Sequence, residues 1–201
     1  MILKQCFGLD CYDSYQPKES PVSNWPIAAL IGRRRWQQDS LQQFIDHARQ
    51  SNELFLLRTH EKEKGDKSIY IVRDGRAVLA SYQKFLRRLQ NKDYSFSDLI
   101  EGKVWPGRWD EHVSFWLERS KSTTLVLRYE DLSTQPPLDQ IGAFLDRPVL
   151  GDFSISFAEL RAIDAGHFDV GHNGPGIEAV ERDCSQLFWR HNETIMRHCG
   201  Y

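Results

Sequence analysis

Residues 68–82 read SIYIVRDGRAVLASY and change character halfway along. The run from Ser68 to Val72 is β-branched and aromatic, as in a buried strand, whereas the apolar residues after Gly75 recur at helical spacing. A strand that passes directly into a helix is the repeating unit of a parallel α/β fold. Arg73 stands at the junction, and ligands bind at the carboxyl ends of strands in such folds.

Other segments repeat this alternation of strand and helix. The runs ELFLLRTH (residues 53–60) and TTLVLRYEDL (residues 123–132) are dense in apolar residues, which is typical of strands buried on both faces of a parallel sheet. Apolar residues at helical spacing begin near Leu41, Val78, Trp109 and Leu138, and a last helix is predicted over about residues 177–198. The sequence therefore predicts a single α/β domain over residues 1–201.

Composition excludes several classes of protein. With 201 residues, 40% hydrophobic, the chain can bury a substantial core, and it has no apolar run of the roughly 20 residues that a membrane helix needs. Its first residues do not resemble a signal peptide, so we expect a cytoplasmic protein. A net charge of −2 does not favour nucleic-acid binding, and the four cysteines lack zinc-site spacing, so no metal is expected.

Arg73 is suited to hold a phosphate group. Arginine makes planar, charge-assisted contacts with phosphate, and Ser81, eight residues further along the following helix, can donate from its hydroxyl to the same group. The residues alone leave a structural interpretation open. Arg73 could instead pair with a carboxylate such as Asp74 or Asp131, and Ser81 could donate to a helix carbonyl.

Five segments in order resemble the sulfotransferases that use 3′-phosphoadenosine 5′-phosphosulfate (PAPS), especially the soluble family of cytosolic and bacterial enzymes. The resemblance implies a three-layer α/β sandwich with a central parallel sheet, of the P-loop-NTPase-like sulfotransferase type. The segments are LLRTHE (56–61), IYIVRDGRAVLASY (69–82), WDEHVSFWL with LVLRYEDL (109–117 and 125–132), ISFAELRA (155–162) and LFWRHNETIMRHCGY (187–201).

The resemblance implies a role for each cofactor-binding residue. Arg73 and Ser81 match the residues that bind the 3′-phosphate of PAPS, and Tyr129 and Phe157 match the residues that contact adenine. Without the resemblance, Tyr129 and Phe157 are interpreted as core aromatics, because aromatics at strand ends and helix starts usually serve packing. Glu130 is interpreted as a residue that orients its neighbours.

The catalytic residues follow from the segment LLRTHE. His60 suits a general base, because an unperturbed imidazole is mostly neutral at pH 7. Arg58 stands where the family usually has Lys and is expected to neutralise sulfuryl oxygens. Glu61 is a weaker alternative base, and a solvated loop histidine is the structural interpretation of His60.

Two segments depart from the family pattern. In HFDVGHNGPGI, Asp169 and Val170 occupy positions that are normally basic, and Gly176 occupies the position of a Trp. The family's opening strand and its loop for the 5′-phosphosulfate have no counterpart, and residues 1–15 resemble the helix that follows that loop. The sequence is therefore interpreted as N-terminally incomplete, with the first strand and loop missing.

The predicted function is transfer of the sulfuryl group from PAPS to a hydroxyl or amine of a small-molecule acceptor, without a metal, a membrane or a nucleic acid. The alternative is a catalytically inactive, truncated remnant that binds adenosine 3′,5′-bisphosphate or a partner protein. A nucleotide kinase is disfavoured, because the sequence has no G-x-x-x-x-G-K-[ST] loop. The oligomeric state is not predicted.

Overall fold

The computed structural model describes residues 1–14, 28–62, 67–163 and 174–201. The described elements, in chain order, are α1 (Ile2–Phe7), β1 (Cys11–Asp13), α2 (Ala28–Ile31), β2 (Arg33–Arg34), α3 (Leu41–Gln50), β3 (Leu56–Arg58), β4 (Ser68–Val72), α4 (Gly75–Gln90), α5 (Phe96–Ile100), α6 (Trp109–Leu117), β5 (Thr124–Arg128), α7 (Tyr129–Thr134), α8 (Leu138–Leu145), α9 (Phe157–Ile163) and α10 (Gly174–His198). These residues form two compact units. The first unit comprises described residues within 1–60 and 136–171, and the second those within 61–135 and 172–201.

The first unit contains a parallel sheet in the order β2-β1-β3. Its register pairs Asp13 with Arg58, so the last residues of β1 and β3 lie side by side. Helix α3 covers the sheet with Phe44, which is buried and lies 4.7 Å from Tyr12 between ring centroids. This aromatic packing fixes β1 beneath α3.

The beginning of the chain differs in part from the sequence interpretation. Residues Ile2–Phe7 are helical as expected, but Cys11–Asp13 form a strand. The physical reason is Gly8, which adopts φ 68° and ψ 9° and ends the helix in a left-handed cap. The chain then turns and pairs with β2 and β3 instead of continuing as helix.

The second unit contains β4 and β5, which pair in parallel from Ser68 opposite Thr124 to Val72 opposite Arg128. Helices α4 and α10 pack together around an apolar cluster, as their predicted stripes require. The buried members of this cluster are Leu79, Ala80, Leu86, Leu99, Ile100, Val180, Phe188 and Met196.

The two faces of β4 are not equally buried. Tyr70 stacks on Trp116 of α6 at 5.3 Å between centroids, and its hydroxyl lies 3.1 Å from Nδ1 of His112. Ile71 points to the opposite face and is 51% exposed. The dense apolar run predicted burial of β4 on both faces. In the structure, α6 covers the face that carries Tyr70, whereas Ile71 on the other face is half exposed. Of the helices within the described ranges, none is long and apolar enough to cross a membrane.

Candidate functional site

Arg73 and Tyr129 meet at the carboxyl ends of β4 and β5. The guanidinium carbon of Arg73 lies 4.4 Å from the centroid of the Tyr129 ring, which is a cation–π contact. The strand register explains this contact, because Val72 and Arg128 are paired and the following residues emerge side by side. Tyr129 remains 38% exposed, so part of its ring is accessible to a ligand.

The turn after Arg73 is held by a partly buried network of charges. Asp74, 5% exposed, caps α4 and accepts hydrogen bonds from Arg76 at its backbone N, Nε and Nη2 (2.9, 3.1 and 2.7 Å). Arg76 also donates to Glu181 of α10 at 2.7 Å. Because Asp74 is engaged by Arg76, the turn is anchored to α10 independently of Arg73.

Tyr201 lies beside the same strand ends. Its hydroxyl donates to Oε2 of Glu130 at 2.6 Å, and the guanidinium carbon of Arg128 lies 4.8 Å from its ring centroid. Burial raises the pKa of the Tyr201 phenol, and the hydrogen bond to the Glu130 carboxylate raises it further. The phenol is therefore protonated at neutral pH and acts as a donor.

Ser81 lies on the exposed side of α4, six residues after Gly75. A helix rises about 1.5 Å per residue, so Ser81 lies about 9 Å along the axis from the start of α4. The sequence interpretation assigned Ser81 and Arg73 to one phosphate. The structure places both in the second unit, on the same strand–helix segment.

Arg58 ends β3 in the first unit and forms an ion pair with Asp13. Its Nη2 lies 2.5 Å from Oδ2 of Asp13, and Arg33 pairs with the same carboxylate oxygen. Asp13 is 1% exposed, whereas the Arg58 side chain is 53% exposed. Ser14 also donates to the Arg58 carbonyl from its backbone N and its hydroxyl, both at 3.0 Å. Arg58 is thus anchored at its backbone and at its guanidinium.

His60 and Phe157 also belong to the first unit. His60 is exposed and follows Arg58 by two residues, just beyond the end of β3. Phe157 is the first residue of α9 and is 38% exposed, so it is not the fully buried core aromatic that the sequence left as an alternative.

Of the residues that depart from the family pattern, Asp169 and Val170 lie outside the described residues. Gly176 lies in α10, where a Cβ would be 2.9 Å from the Cβ of Ala80 in α4. Close packing of these two helices therefore explains why this position carries no side chain. Within the described parts of the chain, no group of three His, Cys, Asp or Glu side chains is placed to hold a metal ion.

Sequence reasoning missed two residues that organise these strand ends. Asp13 lies in a strand of three residues, which is too short to show a periodic pattern. Tyr201 was noted as part of the closing segment but received no role, because its contact with Glu130 joins residues 71 positions apart. The Gly-Tyr ending was the available signal for Tyr201, and the carboxylate after two partly apolar residues was the signal for Asp13.

Residues 8–161 match the family model described as the sulfotransferase domain. The chain belongs to this family. The match covers β1 to β5 and the strand ends that carry Arg58, Arg73 and Tyr129. The predicted membership of the sulfotransferase family is therefore confirmed.

Curated relatives match over shorter segments. Mouse sulfotransferase 1E1 is 39% identical over 77 residues, which cover 35% of this chain and 26% of that protein. Human sulfotransferase 4A1 is 33% identical over 88 residues, which cover 39% of this chain and 31% of that protein. The chain thus spans about a third or less of the length of these relatives.

A solved structure confirms the fold. Mouse sulfotransferase SULT7A1, complexed with PAP, superimposes with a TM-score of 0.58 over 92% of this chain and 83% of that chain. The two sequences are 19% identical, so the likeness concerns the fold. The predicted α/β fold of the sulfotransferase type is confirmed by this likeness and by the parallel pairing of the strands.

Proposed function

We propose that this chain carries out PAPS-dependent sulfuryl transfer to a hydroxyl or amine of a small-molecule acceptor in the cytoplasm. The observation that carries the proposal is the contact between Arg73 and Tyr129 at adjacent strand ends. A fixed cation next to a partly exposed aromatic ring suits a ligand that combines a phosphate with a nucleobase. Membership of the sulfotransferase family supports the same ligand class.

The nucleotide end of PAPS is assigned to four residues. Arg73 binds the 3′-phosphate through charge-assisted hydrogen bonds, and Ser81 donates from the adjoining helix. Tyr129 contacts adenine with the ring surface that Arg73 does not cover, and Phe157 supplies a second aromatic contact. These four roles follow the family resemblance and agree with the exposure of the side chains.

The transfer step is assigned to His60 and Arg58. The acceptor oxygen or nitrogen attacks the sulfur of PAPS, the bond from sulfur to the phosphate oxygen breaks, and adenosine 3′,5′-bisphosphate leaves. His60 takes the acceptor proton, and a positioned base of this kind contributes about 10²–10⁴ in rate. Arg58 neutralises the negative charge on the sulfuryl oxygens. No metal is needed for this chemistry.

A turnover assay tests the proposal. The 201-residue chain is incubated with PAPS and a panel of simple phenols, primary alcohols and amines, and sulfated products and released bisphosphate are measured by mass spectrometry. Equal amounts of one sulfated product and of bisphosphate are expected. Absence of product with every acceptor, together with absence of bisphosphate binding in calorimetry, would contradict the proposal.

Binding of the bisphosphate without transfer is a second candidate function. The observation that favours it is the ion pair of Arg58 with buried Asp13, because a guanidinium already paired with a carboxylate offers less charge to sulfuryl oxygens. The turnover and binding measurements described above distinguish the two functions. Binding of adenosine 3′,5′-bisphosphate without any sulfated product would favour the binding function.

A further inference from the structure

Tyr201 contacts three residues that adjoin the proposed nucleotide contacts. Its hydroxyl donates to Glu130 at 2.6 Å and approaches the carbonyl oxygen of Val72 at 3.4 Å. Its ring lies 4.8 Å from the guanidinium carbon of Arg128. In sequence, Val72 directly precedes Arg73, and Arg128 and Glu130 stand on either side of Tyr129.

The position of Tyr201 is itself fixed by α10. Gly200 adopts φ 78°, and the backbone N of Tyr201 donates to the carbonyl of Met196 at 2.9 Å, which closes the end of the helix. At Gly200 a Cβ would lie 3.1 Å from Nη1 of Arg128, so the glycine lets this arginine approach the Tyr201 ring. Met196 is fully buried, which anchors this turn in the core of the second unit.

From these contacts we infer that Tyr201 is a positioning residue for the Arg73–Tyr129 pair. This inference rests on the proposed binding of 3′-phosphoadenosine. Tyr201 holds the backbone in front of Arg73 and both neighbours of Tyr129, and thereby fixes the distance between cation and ring. A ligand that carries both adenine and a 3′-phosphate depends on that distance, whereas a ligand without the 3′-phosphate does not.

The protonated phenol of Tyr201 is the form that positions the two strand ends. The raised pKa keeps the hydroxyl as a donor to the Glu130 carboxylate, so removal of the oxygen leaves a partly buried acceptor without this partner. Tyr201→Phe keeps the ring against Arg128 and removes the donor alone. Tyr82→Phe is the matched control, because it removes a hydroxyl that donates to the Trp105 carbonyl elsewhere in the same unit.

Calorimetry with adenosine 3′,5′-bisphosphate and 5′-AMP distinguishes positioning from general stability. We expect Tyr201→Phe to weaken the bisphosphate about tenfold and 5′-AMP about threefold or less, with Tyr82→Phe close to wild type for both. In the Arg73→Ala background, Tyr201→Phe should leave the ratio of the two affinities unchanged, because the group that it positions is gone. Glu130→Gln, which keeps an acceptor, should weaken the bisphosphate less than Glu130→Ala.

Hydrogen–deuterium exchange tests the same inference without a ligand. Tyr201→Phe should increase exchange in peptides that cover residues 70–75 and 127–132 and leave residues 96–117 as in wild type. Tyr82→Phe should leave residues 70–75 and 127–132 as in wild type. If wild type binds neither nucleotide, the proposed function fails, and this exchange experiment still tests whether Tyr201 fixes the two strand ends. Unchanged exchange at both strand ends, or equal loss of affinity for both nucleotides, would overturn the role of Tyr201.

Discussion

The guanidinium of Arg73 lies over the ring of Tyr129, although 56 residues separate them in the chain. Parallel pairing of β4 with β5 brings them together, and a cation–π contact of this kind contributes about 0.5–1 kcal/mol at an exposed site. The contact orients the ring and holds the cation at the strand ends. In the proposed function, Arg73 binds the phosphate of a nucleotide and Tyr129 contacts its base.

Replacement of Tyr129 by Ala should weaken both the bisphosphate and 5′-AMP, because both ligands carry adenine, and the bisphosphate more, because Arg73 also loses its contact with the ring. Loss of base stacking of about 1–3 kcal/mol corresponds to roughly 5- to 150-fold in affinity. Tyr129→Phe keeps the ring and should stay near wild type. Calorimetry with both nucleotides measures this, and unchanged affinity in Tyr129→Ala would remove the ring from the adenine contact.

Replacement of His60 by Ala should lower turnover at least about a hundredfold and leave the affinity for the bisphosphate nearly unchanged, since a base acts only on the acceptor proton. His198→Ala, at an exposed histidine of α10, is the matched control and should keep full turnover. Glu61→Gln tests the alternative base. Retained turnover in His60→Ala with loss in Glu61→Gln would transfer the role to Glu61.

Replacement of Asp13 by Asn should destabilise the protein, because Arg33 and Arg58 both lose a buried carboxylate partner. We expect the free energy of unfolding to fall by about 1–3 kcal/mol. Asp93→Asn removes an exposed ion pair with Arg87 and should cost about 1 kcal/mol or less. Urea unfolding monitored by circular dichroism measures both variants. Equal midpoints for Asp13→Asn and wild type would show that the carboxylate does not anchor these arginines.

The Glu181 carboxylate should make stability depend on acid pH. Burial opposes its ionisation, but hydrogen bonds from Ser185, Arg76 and Trp189 outweigh burial and lower its pKa below the ordinary 4.5. A group with a lowered folded-state pKa stabilises the protein above its unfolded-state pKa, and this stabilisation is lost as the pH falls through the folded-state pKa.

The measurement is the free energy of unfolding of wild type and Glu181→Gln from pH 7 to pH 3. Wild type should be more stable than Glu181→Gln by about 1 kcal/mol at pH 7, and this difference in free energy of unfolding should shrink below about pH 4.5. Glu193→Gln, at an exposed pair with Arg197 on the same helix, is the control and should differ little from wild type at any pH. A difference for Glu181→Gln that stays constant over this range would refute the assignment.

Much of the fold was predictable from local patterns. Hydrophobic spacing indicated the segments that contain the strand Thr124–Arg128 and the helix Trp109–Leu117. Such spacing is informative because buried residues recur along the sequence with the period of the helix or strand that carries them. The position of Arg73 at a strand end was predictable for the same reason. The closing helix was predicted to begin near residue 177, and the structure begins it at Gly174.

Contacts between distant segments were not predictable from these patterns. The Asp13–Arg58 pair depends on the register of β1 against β3, and β1 has three residues. The helical interpretation of residues 1–15 was wrong at Cys11–Asp13, because Gly8 ends α1 in a left-handed conformation that the spacing of apolar residues does not show. The contact of Tyr201 with Glu130 likewise depends on how α10 packs in its unit, which hydrophobic spacing alone does not specify.

We predict that the strand ends of β4 and β5 bind a 3′-phosphoadenosine group through Arg73. Calorimetric titration of wild type and Arg73→Ala with adenosine 3′,5′-bisphosphate and 5′-AMP measures this binding. Arg87→Ala, about 18 Å further along α4 and exposed, serves as the control. We predict that Arg73→Ala weakens binding of the bisphosphate by about 1.5–3 kcal/mol, roughly 10- to 150-fold, and leaves binding of 5′-AMP nearly unchanged. Arg87→Ala should bind both nucleotides nearly as wild type does. Equal affinity of wild type for the two nucleotides, or equal loss for both in Arg73→Ala, would show that Arg73 does not bind the 3′-phosphate.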